Sequence, residues 1–303
     1  MDATAIALLA VRAFVVVTMA SLGLQVVSGQ LVAVLRRPRL VIAVLVANLL
    51  AVPLVGVALA ASLRLPDAVA VGLVVTACSA GSSFSAKLVE VAGGDIRVGV
   101  SLMFLLAVVT AIVLGPLAAA MLGLLGSATG AEVRLDPLPI LVTLLAFQVV
   151  PLLALVTLHQ RAPDLAARMR APAIRASTAL LLVAFVAVLV DSADDVLQLG
   201  PMPVLAMVVL IVAGLAVGHA IGGGETSQRR ATALVTGQRS ASIAYIAVQG
   251  LGLPLATATV VAFAFVMLAV NLGISLASRR LALADEGEPL PEGMPVTLDQ
   301  AAG

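Results

Sequence analysis

The chain is poor in charged residues, in cysteine and in aromatic residues, and each shortage excludes a class of protein. Charged residues make up 11% and hydrophobic residues 62% of the 303 residues, whereas soluble domains average about 25% charged residues. A single cysteine, Cys78, excludes an intrachain disulfide and a cysteine metal cluster. The net charge of +1, without a basic stretch interleaved with aromatics, predicts no nucleic-acid partner. The composition therefore predicts an all-α polytopic protein embedded in the lipid bilayer of a plasma or inner membrane.

Catalytic patterns are missing as well. The sequence has no Ser/His/Asp set, no HExxH motif and no phosphate-binding loop. Its two histidines lie at the ends of apolar segments. Because no nucleophile, general base and metal cluster come together, we expect no enzyme, no cofactor and no resident metal ion.

The sequence is rich in long apolar segments. A helix that crosses a bilayer needs about 20 mostly apolar residues. We therefore predict about nine transmembrane helices, of which the sixth is the shortest. They cover approximately residues 5–28, 40–62, 68–91, 97–125, 137–158, 174–190, 201–221, 231–251 and 255–278.

Arginines divide the connecting segments into two groups. Twelve lie in the connectors after the first, third, fifth and seventh predicted helices or after the last one, and two lie in the opposite connectors. Cytoplasmic loops carry the excess of Lys and Arg, so the N-terminus is predicted outside and the C-terminus in the cytoplasm. This orientation requires an odd number of spans, which agrees with nine. Residues 281–303 are acidic and contain prolines, and they are predicted to form a disordered cytoplasmic tail.

Two predicted helices are interrupted by polar residues near their middle. In the first, the apolar run up to Cys78 is followed by four serines and a glycine within residues 79–85, and then by Lys87. Glycine and serine weaken a helix, so we predict that this helix unwinds, although small residues also serve close helix packing. A lysine inside a span is a candidate functional residue. Snorkelling of Lys87 toward the turn at residues 93–95 is the alternative.

The second interruption, residues 235–240, places Arg239 between apolar residues of its helix. Arginine is charged at any physiological pH, and the deep segments offer no carboxylate apart from Glu90. Arg239 and Lys87 are therefore predicted to be fixed cations that contact a substrate anion or stand in for a coupling cation. Capping of a half-helix C-terminus is an equally supported role for Arg239.

Broken helices in corresponding positions of the two halves are typical of inverted-repeat transporters, in which non-helical backbone lines a cavity. The remaining polar residues inside spans carry less weight. Arg12, seven residues into the first predicted helix, is expected to reach the outer interface. Asn48 and Gln148 are expected to bond between helices. Asn271 carries more weight, because its helix directly follows the second interruption.

The two interruptions resemble motifs of the bile acid:sodium symporter family. Residues 78–95 resemble its Pro-Gly-Gly-Thr-x-Ser-Asn … Gly-Asp stretch, and residues 233–240 fall on its Glu-x-Gly-x-Gln-Asn motif. Residues 34–55 and 270–275 also look like that family, so the resemblance is spread over residues 15–278. Relative to the family pattern, the chain lacks the first helix.

The resemblance implies two inverted repeats whose two discontinuous helices cross inside a core domain. The core would move against a panel domain and give alternating access to a central site. Mapped onto this chain, residues 1–280 form the transmembrane transporter domain. Its core covers about 40–125 and 201–278, and its panel about 5–28 and 137–190.

The sodium ligands of the family fall on altered residues in this chain. The matching positions, of which Ser85 alone is kept, are Ser85, Ala86, Val235, Arg239 and Ser240. Val235 replaces the carboxylate that would neutralise sodium, and a guanidinium follows four residues later. Unit charges 4 Å apart repel by about 4 kcal/mol at an effective dielectric constant of 20. The sodium sites are therefore predicted not to function here.

The leading hypothesis is a secondary transporter of a small organic anion that is sodium-independent or atypically coupled. A non-transporting receptor or scaffold of the same fold is one alternative. A symporter coupled to protons, or to sodium held by other oxygens, is another. The predicted substrate-binding residues are Ser82, Ser83, Ser85, Lys87, Gly237, Gln238, Arg239, Ser240 and Asn271.

Overall fold

The computed structural model describes residues 3–24, 28–129 and 135–286, and every regular element in these ranges is a helix. Seven of the described helices are long and apolar enough to cross a membrane: α1, α3, α6, α7, α8, α9 and α12. The prediction of an all-α polytopic membrane protein is therefore confirmed. The helices, numbered in chain order, are α1 (Ala3–Gly23), α2 (Ser28–Leu35), α3 (Pro38–Ser62), α4 (Asp67–Cys78), α5 (Ser85–Val91), α6 (Ile96–Thr129), α7 (Pro137–Arg161), α8 (Pro163–Leu197), α9 (Pro201–Ile221), α10 (Thr226–Gly237), α11 (Ala241–Gln249) and α12 (Pro254–Glu286).

The two other predicted spans, residues 68–91 and 231–251, are each divided between two short helices. The first is formed by α4 and α5, and the second by α10 and α11. The longest of these four helices has 12 residues, well below the roughly 20 that a crossing needs. Only the two helices of a pair, placed end to end, match the length of a span. Nine crossings in an inverted repeat stay a prediction.

Several helix ends differ from the prediction. Helix α8 has 35 residues, about 52 Å, and extends well beyond the predicted 174–190. Helix α1 ends at Gly23 instead of residue 28, α2 was not predicted, and α12 continues to Glu286, into the segment predicted as disordered. Residues 287–303 of that tail lie outside the described residues. The prediction located the end of each apolar run, whereas a helix continues through polar residues wherever its backbone hydrogen bonds are kept.

Helices α3 and α7 share an internal pattern. Each begins with proline, has 25 residues and contains one π-helical turn, at Ala47–Ala51 in α3 and Leu145–Val149 in α7. Proline two residues after each turn removes a backbone donor, and a wider turn is one way a helix adjusts. Each turn also contains a fully buried amide side chain. The amides and prolines are Asn48 and Pro53 in α3, and Gln148 and Pro151 in α7.

The helices pack in two groups. Helix α1 packs mainly against α8 and α7, whereas α9 packs against α10, and α12 against α4. Glycines bring the second group into close contact. Gly72 of α4 lies against the backbone of Ala256 in α12, and Gly218 of α9 against that of Thr232 in α10. Close approach at small residues is the usual basis of helix association in membranes. Helices of the two groups also contact each other, α8 with α12 and α7 with α6. The names panel, for α1, α7 and α8, and core, for α3–α6 and α9–α12, follow the predicted division, which stays a prediction.

Gly81, between α4 and α5, is the most constrained position in the first interruption. Its φ is +80°, a left-handed conformation that side chains disfavour. A Cβ on Gly81 would lie 2.4 Å from the backbone N of Ala107 in α6. The unwound segment is therefore fixed against α6 by the absence of a side chain.

We expect Gly81→Ala to lower the free energy of unfolding by about 2 kcal/mol or more, because a strained backbone and an overpacked contact each cost about 1–3 kcal/mol. Thermal unfolding of the purified protein in detergent measures the effect. The control is Gly123→Ala in α6, where a Cβ meets no atom within 4 Å. Equal melting temperatures for Gly81→Ala and wild type would contradict the constraint.

Candidate functional site

The two unwound segments meet inside the core. Helix α4 ends at Cys78 and α5 begins at Ser85, while α10 ends at Gly237 and α11 begins at Ala241. The backbone N of Ser240 donates a hydrogen bond to the backbone O of Ser79 at 2.7 Å. This bond joins one interruption directly to the other, and it satisfies two backbone groups that no helix pairs.

Serine side chains stabilise the ends of the first interruption. The hydroxyl of Ser79 donates to the O of Val75 at 2.8 Å, in the last turn of α4. The hydroxyl of Ser85 donates to the O of Ser82 at 2.8 Å, and the backbone N of Ser85 donates to the same oxygen. Local bonding of this kind is how serine competes with helix formation. The unwinding predicted at residues 79–87 therefore covers 79–84, and Ser85, Ala86 and Lys87 lie in α5.

Arg239 lies at the crossing, the place where the unwound segments 79–84 and 238–240 meet. Its side chain is 1% exposed. Its Nη1 donates to the O of Ala77 at 3.2 Å, and its Nη2 donates to Oδ1 of Asn48 and to the O of Thr236. Its backbone N contacts Sδ of Met267 at 3.1 Å. The guanidinium thus binds three oxygens, which come from α3, α4 and α10.

Two of these oxygens belong to the C-terminal ends of half-helices. Ala77 lies in the last turn of α4 and Thr236 in the last turn of α10. The last carbonyls of a helix have no partner in that helix and carry the negative end of its dipole. Both negative ends therefore face the same cation. In transporters with broken helices, half-helix C-terminal ends and unwound carbonyls are the groups that coordinate a coupling cation.

Asn48 supplies the third oxygen and fixes its direction. Its Nδ2 donates to the O of Val44 at 2.9 Å and to Oγ1 of Thr236 at 3.2 Å. With the amide nitrogen held by two acceptors, the amide oxygen faces Arg239. The expected role of Asn48 in bonding between helices is correct, but its part in the site was missed. The available sequence signal for this part was a single amide side chain inside an apolar helix. Asn48 is the second residue of the π turn of α3.

Gln238 and Asn271 form a second polar pair at the crossing. Nδ2 of Asn271 donates to Oε1 of Gln238 at 2.6 Å, and both residues are buried. Oδ1 of Asn271 has no hydrogen-bond partner among the described residues. A buried acceptor without a partner is unusual enough to indicate a place for a ligand or water.

The other predicted site residues lie close by, with different surroundings. Ser82 and Ser240 are buried, and Ser83 is half-buried. The hydroxyl of Ser240 lies 3.5 Å from that of Ser242. Gly237 ends α10 and faces Leu215 of α9, where a Cβ on Gly237 would lie 2.5 Å from the side chain. Gly237 is therefore used for close packing in this conformation.

Lys87 lies away from the guanidinium. Its side chain is 64% exposed and pairs with Glu90, Nζ to Oε2, at 2.7 Å. The two charges belong to residues one turn apart in the same helix. The pair lies in α5 and its ammonium is directed out of the core, so the structure does not bring the two predicted cations together.

The geometry does not fit a sodium ion at this position. Sodium needs several oxygen ligands, but the three oxygens at the crossing already bind the guanidinium. Val235, in place of a carboxylate, is fully buried, and the Ser85 hydroxyl donates within its own segment. Within the described ranges, no group of three or more His, Cys, Asp or Glu residues is arranged to hold a metal.

Comparison with known proteins identifies the family. Residues 13–199 of the 303 match the model of the Sodium Bile acid symporter family. No curated protein sequence matches the chain. The matched region includes the first interruption and both π turns, and it ends before the second interruption. The match covers more than half of the chain and confirms the family that the motifs predicted. The chain belongs to the Sodium Bile acid symporter family.

Proposed function

We propose that the protein is a secondary transporter of a small organic anion that works by alternating access without sodium. The observation that carries this proposal is the buried guanidinium of Arg239, bound by oxygens of α3, α4 and α10. The family is one of symporters, and the crossing of two half-helix pairs is where such proteins bind their ions. Here a side chain supplies the cation.

The physical role of the guanidinium is to neutralise the carbonyl ends of α4 and α10. A buried cation is tolerated when its hydrogen bonds are made, and it is costly to remove. Because this cation is covalently attached, its presence does not depend on the sodium concentration. The crossing is then kept assembled in every stage of transport, whereas a site built for sodium assembles when the ion arrives.

The substrate is proposed to lie between the core and the panel, against the hydroxyl groups of Ser82, Ser83 and Ser240. Asn271 and Gln238 are proposed to lie behind these hydroxyls, where the free Oδ1 of Asn271 would offer an acceptor. Lys87 is proposed to lie outside this contact, because Glu90 already pairs with it.

We expect transport to be insensitive to sodium. In proteoliposomes that contain the purified protein, uptake of radiolabelled cholate or benzoate should be equal in sodium chloride and in choline chloride, because no site waits for the ion. A proton gradient applied in the same assay tests the alternative coupling ion. A large loss of uptake in choline chloride would overturn the proposal. Specific binding without exchange would favour a receptor of the same fold.

Removing the guanidinium should both destabilise the protein and create a response to sodium. Arg239→Ala leaves three buried acceptors without a donor, at about 1–3 kcal/mol each, so we expect a loss of about 3 kcal/mol or more in the free energy of unfolding. A small cation that enters the vacated position stabilises the folded state by mass action. The melting temperature of Arg239→Ala should therefore rise in sodium chloride relative to choline chloride.

The control for this comparison is Arg97→Ala, which removes an exposed arginine at the start of α6. It should melt like wild type, and neither protein should distinguish the two salts. If Arg239→Ala is as stable as Arg97→Ala, the guanidinium does not hold the crossing together.

A further inference from the structure

Arg12 is an arginine half-way along α1, a helix of the panel. It is half-buried, and its guanidinium carbon lies 5.4 Å from the ring centroid of Phe147 in the π turn of α7. Arg12 is nine residues from the start of α1 and Phe147 ten from that of α7, which is about 14 and 15 Å along each helix. Both residues therefore lie near the middle of their helices, each of which is long enough to cross a membrane. The side chain packs on Phe147, and the expectation that Arg12 reaches the outer interface stays a prediction.

One donor of Arg12 is left without a partner. Its Nε is buried and has no hydrogen-bond partner. Among the residues that the structure describes, no carboxylate forms a salt bridge with Arg12. A contact with an aromatic ring uses the face of the guanidinium and leaves its N–H groups pointing outward in the plane. A charged side chain near the centre of a membrane is costly and marks a functional site.

Two further unpartnered atoms belong to the π turn of α7, which contacts α1 and α6, and to α6 itself. Gln148, the neighbour of Phe147, donates through Nε2 to the O of Ala107 at 2.7 Å, but its Oε1 is buried without a partner. Oγ1 of Thr110, one turn along α6 from Ala107, is also buried without a partner. Buried polar atoms are almost always bonded. Three unpartnered atoms on the contacting helices α1, α7 and α6 therefore lead us to look for a polar ligand between these helices.

This place adjoins the first interruption of the core. Ala107, which accepts the bond from Gln148, is also the residue whose backbone packs against Gly81. The contacts therefore run from Arg12 through Phe147 and Gln148 to Ala107 and Gly81. Ser82 and Ser83 directly follow Gly81 in the chain. A ligand held between panel and core here would contact Arg12 on one side and the serines on the other.

We propose that Arg12 binds the carboxylate of the transported anion. This inference rests on the proposed function and names the charged group that selects its substrate. The Nη atoms of Arg239 are bound by three protein oxygens, and Lys87 is bound by Glu90. Arg12 presents the planar fork that matches a carboxylate with two parallel hydrogen bonds.

The test compares charged and neutral forms of the same molecule. Binding of cholate and its methyl ester, and of benzoate and benzamide, is measured on the purified protein in nanodiscs for wild type, Arg12→Gln, Arg12→Lys and the control Arg161→Gln. Arg161 is exposed at the end of α7, far along that helix from Phe147. Hydrogen bonds to charged groups contribute about 1.5–3 kcal/mol, so Arg12→Gln should weaken binding of the carboxylates about 10- to 100-fold. Its affinity for the neutral partners should stay at the wild-type value.

Arg12→Lys is the second variant, for use if Arg12→Gln does not fold. It keeps the positive charge and loses the planar guanidinium, so it should weaken carboxylate binding about 10-fold or less. Arg161→Gln should bind all four compounds like wild type. Equal carboxylate affinity for wild type and the Arg12 variants would overturn the role of Arg12 and leave the transporter proposal intact. Wild-type protein that binds neither carboxylate would overturn both.

Discussion

The burial of one guanidinium between the carbonyl ends of two half-helices is the constraint on which the rest of the core depends. Transfer of a charge from water into a protein interior costs several kcal/mol even after relaxation. The cost is met here by oxygens from three helices, at Asn48, Ala77 and Thr236. Helices α4 and α10 must therefore end at the same point. If either helix continued through its interruption, its carbonyl would bond within the helix and Arg239 would lose an acceptor.

Close packing at two glycines allows the ends of α4 and α10 to lie next to each other. Gly81 lets the unwound segment lie on α6, and Gly237 lets the end of α10 lie on α9. The bond between Ser240 and Ser79 then closes the crossing. Because a bilayer offers no water to unpaired backbone groups, the bond between Ser240 and Ser79 pairs two groups that the helices leave free. The same sequence features that weaken the two helices therefore also stabilise their alternative arrangement.

Much of this arrangement follows from sequence, but not all of it. Serine, glycine and a cation inside apolar runs correctly located both interruptions, because these residues weaken a helix by known local effects. Arg239 and Lys87 have the same signature in sequence, yet one is buried and the other is paired with Glu90 at the surface. Their difference depends on which way each half-helix faces, which is a property of the tertiary structure.

The partners of a buried charge are harder to predict than the charge itself. Asn48 and Gln148 are both lone amides in apolar helices, and no local pattern states that Asn48 faces Arg239 while Gln148 faces Ala107. Two of the three oxygens that bind Arg239 are backbone atoms, which every residue possesses. The position of Arg12 over Phe147 likewise joins residues far apart in the chain. The ends of α8 and α12 were missed because hydropathy reports where the apolar run stops.

A covalently attached cation changes the thermodynamics that the proposed transport cycle can have. A sodium gradient drives a substrate only if the ion crosses with it, so a cation that cannot dissociate carries no energy from a gradient. A ligand shifts a conformational equilibrium only by its difference in affinity for the two states. In the proposed cycle, Arg239 binds oxygens of α3, α4 and α10 alone, so it would neutralise the crossing equally well whichever way the core faces and would favour neither state. The empty core can then return without a cation, which makes transport of the anion down its own gradient, or exchange for another anion, the cycle that this geometry supports best.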